Sequence, residues 1–432
     1  MTLFRTSFLS ALAVLAKLAT SLFLNKVLAV YVGPAGYGVI GQFQSLVSMV
    51  TTFASGATNA GVTKYTAEYA TEPARQRAVW TTAATMGLLG ALVFGFGLIL
   101  ARKSLSRWLL GSSEQSDVLV WLALALGLLV MNGLMLAILT GRKAVRELVA
   151  ANIVGSVTGA FVATALVMTQ GLWGALVALA VSQAVACGFT AWIFHRVCHV
   201  RWRELVGKMD PAIAKSLGGF ALMAATTALV APVGQMIIRD QIAANLGWRN
   251  AGLWQALWKI SETHLLLLTS TLSVYFLPRF SEIRSGQELR NEVLKGYLFV
   301  VPMVAASGLA LYYFRDTLIR VFLSADFLPL AQVLGFQLVG DALKICSWVM
   351  SFTMVSHART SAFVVTEVLF TAIFVVATVF LSHHYGLTGA AIAYAATYLL
   401  YWGTMYWLFE GLVARLRREE ASASMLSKLQ EV

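Results

Sequence analysis

The sequence predicts an all-α polytopic membrane protein with twelve transmembrane helices. Of its 432 residues, 59% are hydrophobic and only 12% are charged, whereas soluble domains carry about 25% charged residues. The mean hydropathy is +0.75. A repeated pattern in the sequence further indicates two six-helix lobes related by a parallel pseudo-twofold repeat.

The repeat is visible in segments that recur at one spacing. AGYGVIGQFQ from Ala35 returns as AGLWQALWKI from Ala251, and GLWGALVALA from Gly171 returns as GLTGAAIAYA from Gly386, each about 215 residues later. Gly and Ala also recur by chance, because membrane helices favour small residues. The shared spacing favours a duplication of the whole chain.

Apolar runs long enough to cross a bilayer, separated by charged or Gly/Pro breaks, predict the individual helices. They lie near residues 7–32, 38–62, 79–101, 117–140, 149–168, 172–195, 218–239, 252–277, 293–314, 329–354, 361–382 and 387–410. Six helices per half is an even number, so the two halves share one orientation, related by an axis along the membrane normal.

The predicted domain organisation follows from these helices. It comprises an N-terminal lobe (1–195), a basic linker (196–217), a C-terminal lobe (218–410) and a charged tail (411–432). The loops are too short to hold a soluble domain, so any function is expected among the helices.

The basic residues predict the orientation of the chain. With the N-terminus inside, inner segments hold about 21 Lys and Arg and outer loops about 7, which places both termini in the cytoplasm. The net charge of +12 is therefore explained by topology, and no nucleic-acid partner is expected. Three cysteines support no disulfide framework.

Four lysines, Lys17, Lys26, Lys259 and Lys344, are the bases that lie inside the predicted helices. Lys17 is about 15 Å from the end of its helix, too deep to reach water easily, so it is expected to face a polar interior. Lys26 is nearer an end, and both cavity-facing and interfacial positions stay open. Their spacing of nine residues puts them on nearly opposite faces.

Three carboxylates share the apolar segments with these lysines: Glu262, Asp341 and Glu367. Glu262 follows Lys259 by three residues and Asp341 precedes Lys344 by three, which places each pair on one helix face. One interpretation is an internal ion pair that makes the helix tolerable in lipid. The other is that the lysines bind an anionic substrate while the carboxylates couple transport to protons or cations.

Other candidate sites have simpler interpretations. His264 points away from Glu262 and is expected to be a hydrogen-bonded interior residue, and GPAGYG from Gly33 predicts a tight hairpin rather than a phosphate loop. The two small residues Gly155 and Gly159 predict a helix–helix contact. Tryptophans near predicted helix ends are typical of interfacial anchors, among them Trp248, Trp254, Trp258, Trp402 and Trp407.

The sequence contains no arrangement of residues that indicates catalysis. No nucleophile elbow, nucleotide loop or zinc motif is present, so we expect no catalytic residues, metal or cofactor. His195, Cys198 and His199 form only half of a metal-ligand pattern. The chain is predicted to be a transporter rather than an enzyme.

Several motifs together resemble the Wzx-type flippases of lipid-linked oligosaccharides. They are GPAGYG (33–38), NAGVTKYTAEY (59–69), SVYFLPRFSEI (273–283) and QLVGDALK (337–344). These flippases belong to the superfamily of the multidrug and toxic compound extrusion transporters. The resemblance covers essentially the whole chain. It is greatest to the branch that moves lipid III, the undecaprenyl-diphosphate-linked trisaccharide of enterobacterial common antigen, followed by O-antigen flippases.

The resemblance implies alternating access of two lobes around a cationic central cavity, from the cytoplasmic to the periplasmic leaflet. The assignment of Lys17, Lys26, Lys259 and Lys344 to the diphosphate is an inference from charge. We expect a monomer in the bilayer, with polymerase and chain-length proteins of the same pathway as possible partners. A cation-coupled multidrug antiporter is the alternative, although it would favour an acidic cavity; a membrane-embedded glycan polymerase would need larger outer loops.

Overall fold

The computed structural model describes residues 3–200, 205, 207–283, 285–356 and 360–430. All regular secondary structure within these ranges is helical, and they contain no strand. The prediction of an all-α protein is therefore confirmed. Arg201 and Arg203 of the predicted linker lie outside the described residues.

The chain forms two compact units. The first comprises Met1–Met236 together with Val321–Ser324, and the second comprises Ile237–Arg320 and Ala325–Val432. The helices of the first unit are α1 (Leu3–Tyr31), α2 (Gly33–Ala54), α3 (Asn59–Glu68), α4 (Pro73–Leu110), α5 (Asp117–Gly141), α6 (Val145–Cys198) and most of α7 (Pro211–Leu246). The second contains the end of α7, then α8 (Trp248–Glu282), α9 (Gly286–Tyr313), α10 (Arg315–Phe322), α11 (Leu330–Ser356) and α12 (Thr360–Gln430).

The connection between α1 and α2 is the tight hairpin that GPAGYG predicts. α1 ends at Tyr31 and α2 begins at Gly33, whose φ of 70° lies in the left-handed region. Glycine adopts this conformation without steric cost. Pro34 follows in the first turn of α2, where its missing N–H leaves no helical hydrogen bond unmade.

Two glycines bend the longest helices. Gly171 (φ 57°, ψ −131°) interrupts α6, and Gly386 (φ 60°, ψ −143°) interrupts α12. Both dihedral pairs are accessible to glycine and strained for other residues. α6 and α12 are therefore each two helices joined at a bend, and the two bends lie 386 − 171 = 215 residues apart.

Seven segments among the described residues are long and apolar enough to cross a membrane. They are Val14–Tyr31, Pro73–Leu110, Asp117–Gly141, Val145–Cys198, Gly286–Tyr313, Leu330–Met354 and Val364–Glu420. A span needs about 20 residues, so the 54-residue α6 is long enough for two spans. The protein is a multi-pass membrane protein.

Each unit contains a buried side-chain core. In the first unit, Trp80 is buried beside Phe194 and donates from its indole nitrogen to the hydroxyl of Thr66 at 2.9 Å. The Arg142 guanidinium covers the Trp80 ring at 4.9 Å. In the second unit, one buried cluster is apolar and includes Phe280, Val300, Val349 and Met405.

Candidate functional site

The second unit surrounds the Lys344 ammonium with aromatic rings. Trp258 of α8, Trp348 of α11, and Tyr394 and Tyr398 of α12 have ring centroids 5.3, 5.2, 5.8 and 4.9 Å from Lys344 Nζ. Ring faces attract a cation electrostatically, most strongly where water is excluded. These four residues, which we call the aromatic cage, surround the positive charge of Lys344.

Asp341 lies one turn before Lys344 and is completely buried. Its carboxylate accepts hydrogen bonds from the hydroxyls of Ser261, at a short distance, and of Tyr394, at 3.0 Å. His264 Nδ1 lies 3.3 Å from the other oxygen, and its Nε2 lies 2.9 Å from the hydroxyl oxygen of Ser307. Asp341 and Lys344 also interact electrostatically, but hydrogen-bonding side chains from other helices hold the carboxylate.

His264 matches its prediction as a buried, hydrogen-bonded residue. Through its two ring nitrogens it connects Asp341 of α11 with Ser307 of α9. Because a histidine can hold one or two protons, the contact between His264 and Asp341 brings two titratable groups together in the interior.

Lys259 and Glu262 form the ion pair that their spacing predicts. Lys259 Nζ lies 3.2 Å from one Glu262 carboxylate oxygen, and the Trp258 indole donates to the other at 3.0 Å. The Glu262 side chain is 51% exposed in the described structure, so the pair is not sealed inside the unit. Such partly exposed pairs contribute little to stability, which leaves both charges available to a ligand.

Arg239 corrects the prediction that the four lysines are the only bases within helices. The predicted helix ended at residue 239, but α7 continues to Leu246 and places Arg239 inside it, where it is only 2% exposed. The guanidinium donates to Gln255 Oε1 at 2.6 Å and is within electrostatic range of Glu262. A sequence search that counted bases near helix ends could have included it.

Two of the predicted interfacial tryptophans pack against other aromatic rings of the second unit, Trp254 completely buried and Trp258 half-buried. Trp254 is completely buried, with its ring centroid 6.1 Å from that of Trp258 and 6.2 Å from that of Phe374. Trp258 also contacts Tyr394, at 5.6 Å between centroids. The prediction was wrong for Trp254 because position near a helix end does not reveal whether a face meets lipid or protein.

Glu367 lies in the first turns of α12 and is half-buried. It interacts electrostatically with Lys344. Lys344 is therefore close to two carboxylates, those of Asp341 and Glu367. The three-residue spacing on α11 predicted the first of these neighbours, whereas nothing in the sequence indicated the second.

The two N-terminal lysines have separate surroundings in the first unit. Lys17 is exposed and lines a cavity of about 350 Å³ between α1, α5 and α6. Lys26 donates to the carbonyl of Leu323 at 2.6 Å, also within the first unit, and is absent from the cavity wall. This agrees with the prediction that they lie on opposite faces.

Several residues of these sites were missed from the sequence. Tyr394 and Tyr398 are four residues apart and so share one face of a helix, but nothing in the sequence indicates that this face meets Lys344. Ser261, Trp348 and Asn132 were missed for the same reason. The arrangement can hold anionic groups through lysines, and protons through Asp341, His264 and Glu367.

Comparison with known families matches residues 27–332 to the polysaccharide biosynthesis protein family. The chain is 31% identical over 402 residues to the lipid III flippase of Escherichia coli (strain K12), covering 93% of this chain and 96% of that protein. The same values apply to the lipid III flippase of Shigella flexneri. The resemblance to Wzx-type flippases is thereby confirmed.

Solved structures show the same fold. A multidrug resistance MATE family transporter of the MOP superfamily in its inward-facing conformation matches with a TM-score of 0.78 at 15% identity, covering 94% of this chain and 99% of the other. A MOP superfamily transporter from Pyrococcus furiosus matches with a TM-score of 0.66 at 14% identity, covering 96% of each chain. At such identities the likeness concerns the fold alone.

The sequence relatives cover almost the whole chain, and both they and the structural neighbours are transporters. The chain is therefore a multi-pass membrane transporter, not an enzyme, and it belongs to the polysaccharide biosynthesis protein family as a relative of the lipid III flippases.

Proposed function

We propose that this protein is a flippase that moves an undecaprenyl-diphosphate-linked oligosaccharide, lipid III or an O-antigen unit, from the cytoplasmic to the periplasmic leaflet. The observation that carries this proposal is the 31% identity to lipid III flippases over 93% of the chain. Movement would proceed by alternating access through a cationic cavity.

The proposed architecture is twelve spans in two six-helix lobes, with a linker at 196–217 and a tail at 411–432. The equal spacing of the bends at Gly171 and Gly386 supports it. We divide α6 and α12 at these bends and count the short α3 and α10 together with the helices that precede them. Each half then has six spans. The positive charge of the predicted inner loops supports cytoplasmic termini.

The proposed anion site uses the intramembrane lysines. A diphosphate carries about two negative charges, and its transfer through hydrocarbon without fixed cations would be prohibitive. Lys344 in its aromatic cage and Lys259 beside the half-exposed Glu262 are the proposed sources of positive charge in the second unit. Lys17 and Lys26 are the proposed contacts in the first unit, and Arg239, which is buried, adds a fifth base.

The proposed coupling groups are Glu262, Asp341 and Glu367. Asp341 is the best placed of the three to bind a proton, because it is completely buried and contacts His264. Protonation of Asp341 would change its hydrogen bonds to α8 and α12, which offers a route from proton binding to helix movement.

We infer that the protein works as a monomer in the bilayer, since each proposed lobe has the other to pack against. Polymerase and chain-length proteins of the same pathway are the proposed partners, because they would receive the flipped unit. Co-purification with these proteins tests the proposed partnership.

A cation-coupled multidrug antiporter is the second candidate, favoured by the MATE-like fold. Reconstitution in proteoliposomes separates the two. We expect movement of the undecaprenyl-diphosphate trisaccharide and no movement of a cationic dye, with and without an imposed proton gradient. Movement of the dye alone would overturn the flippase proposal.

A further inference from the structure

The cavity of the first unit has features of a binding site. Its volume of about 350 Å³ falls in the range of small-molecule sites, about 300–1,000 Å³. α1 lines it from Lys17 to Leu28, α5 contributes Asn132 and Leu136, and both parts of α6 complete the wall. All these residues belong to the first unit.

Asn132 indicates that a hydrogen-bond donor belongs in this cavity. The residue is 7% exposed, and its Oδ1 is buried without a hydrogen-bond partner in the described structure. An unpaired buried acceptor is unfavourable, because it has lost its hydrogen bonds to water without gaining others. Asn132 belongs to the cavity wall, so a rotation of its amide towards the cavity would let a ligand donor satisfy this oxygen.

The hydroxyls of the wall add further acceptors. Thr20, Ser156 and Thr190 donate their hydrogens to backbone carbonyls of their own helices, at 2.5, 2.8 and 3.2 Å. Each hydroxyl oxygen retains acceptor capacity. The cavity therefore favours a ligand with several donors, such as a sugar, over a phosphate group or an acyl chain, which would leave Asn132 unpaired.

The positions that the proposed repeat makes equivalent to part of this wall carry large side chains in the second unit. The residues 215 positions after Gly155 and Ala186 are Phe370 and Tyr401, whose rings are in contact with centroids 4.9 Å apart. A Cβ added at Gly155 would lie 3.4 Å from the Ala186 Cβ. Small residues thus leave open in the first unit a space that aromatic rings occupy in the second.

We propose that this cavity binds one sugar unit of the transported glycolipid, with Asn132 accepting from a hydroxyl or amide and Lys17 meeting the adjoining phosphate. This inference rests on the proposed flippase function and names a separate subsite for it. Lys17 lies at one end of the cavity wall that α1 forms, next to Thr20. The phosphate would therefore occupy that end of the cavity, and the sugar the rest of it.

The test measures direct binding. Equilibrium dialysis of the purified full chain in detergent would use two soluble probes: the oligosaccharide phosphate released from the lipid, and the same oligosaccharide without phosphate. Gly159→Phe, which places a ring against the wall at Ser182, should abolish binding of both. Asn132→Leu should weaken both roughly two- to tenfold, the effect of one hydrogen bond.

Lys17→Gln should weaken binding of the phosphorylated probe only. The matched control is Gly188→Phe, an exposed position on the same helix with open space around it and outside the cavity wall; it should bind like the unmodified protein. Because Asn132→Leu removes an unpaired buried acceptor, its melting temperature should not fall although its affinity does, so this variant carries the test if Gly159→Phe fails to fold.

Equal binding by unmodified protein, Asn132→Leu and Gly159→Phe, or a water-filled cavity with no sugar affinity, would overturn the subsite. Flipping of the glycolipid in proteoliposomes is measured in parallel. Flipping without cavity-dependent binding would reject the subsite and leave the flippase proposal intact. Cavity-dependent sugar binding without flipping would support the subsite and reject the flippase proposal.

Discussion

The hydroxyl of Tyr394 donates a hydrogen bond to the buried carboxylate of Asp341 at 3.0 Å, while its ring lies 5.8 Å from the Lys344 ammonium. One side chain of α12 therefore contacts both charged residues of the α11 pair. A change in either charge alters the surroundings of the other through Tyr394.

Tyr394→Phe removes the hydroxyl and retains the ring. We expect the free energy of unfolding to fall by about 1–3 kcal/mol, since a completely buried carboxylate loses a donor. Chemical unfolding in detergent measures this. Tyr406→Phe, at a position that is 50% exposed, should have no effect, and an equal loss in both variants would contradict the role of the hydroxyl.

Asp341→Asn keeps the shape of the side chain but removes its capacity to exchange a proton. If Asp341 couples transport, glycolipid flipping in proteoliposomes should lose its response to an imposed proton gradient. Flipping without a gradient should persist. A response equal to that of the unmodified protein would exclude Asp341 as the coupling residue and direct attention to Glu262 and Glu367.

Trp348→Leu removes one ring from the aromatic cage, whereas Trp348→Phe retains a ring. Loss of a desolvated cation–π contact costs about 2 kcal/mol, so we expect lower stability and weaker glycolipid transport in the leucine variant than in the phenylalanine variant. Trp407→Leu is the control, because Trp407 is 73% exposed. Identical behaviour of the two Trp348 variants would mean that the ring does not hold Lys344.

Lys259→Gln removes the charge that faces Glu262. Loss of one charge-assisted contact to phosphate, about 1.5–3 kcal/mol, should reduce transport roughly 10- to 100-fold, with normal insertion into the membrane. Lys295→Gln, at an exposed lysine of α9 whose side chain is 72% exposed, should transport normally. Unchanged flipping by correctly inserted Lys259→Gln would exclude this lysine from the anion site.

Gly171→Ala and Gly386→Ala test the two bends. Their dihedral angles disfavour a Cβ by about 1–3 kcal/mol, although no atom lies within 4 Å of the added carbon at either site. We expect similar decreases in thermal stability for both variants. Gly188→Ala, within the same α6, should be neutral or stabilising; a neutral result for Gly171→Ala would show that the bend tolerates a side chain.

Much of the local structure was predictable from the sequence. The Gly33 hairpin follows from residue type, because glycine alone takes up a left-handed φ freely. The ion pair of Lys259 and Glu262 follows from helical spacing, because residues three apart lie on the same face of a helix. Such features need no knowledge of how distant segments meet.

The partners of Lys344 and Asp341 were not predictable in this way. Trp258 and Tyr394 lie 86 residues before Lys344 and 50 after it, and spacing along the chain does not indicate which helix faces which. The same applies to the cavity at Asn132, which exists because small residues on α6 leave space beside α1 and α5. Arg239 was missed because helix ends are the least certain part of a sequence prediction.

The sequence by itself determined that this is a multi-pass helical membrane protein of the flippase family, because apolar run length and motif order are properties of the chain alone. Only the tertiary structure decided that an aromatic cage surrounds Lys344 and that three side chains hold Asp341. Contacts between helices depend on which faces are buried together, and that choice minimises unpaired charge and empty space across the whole fold.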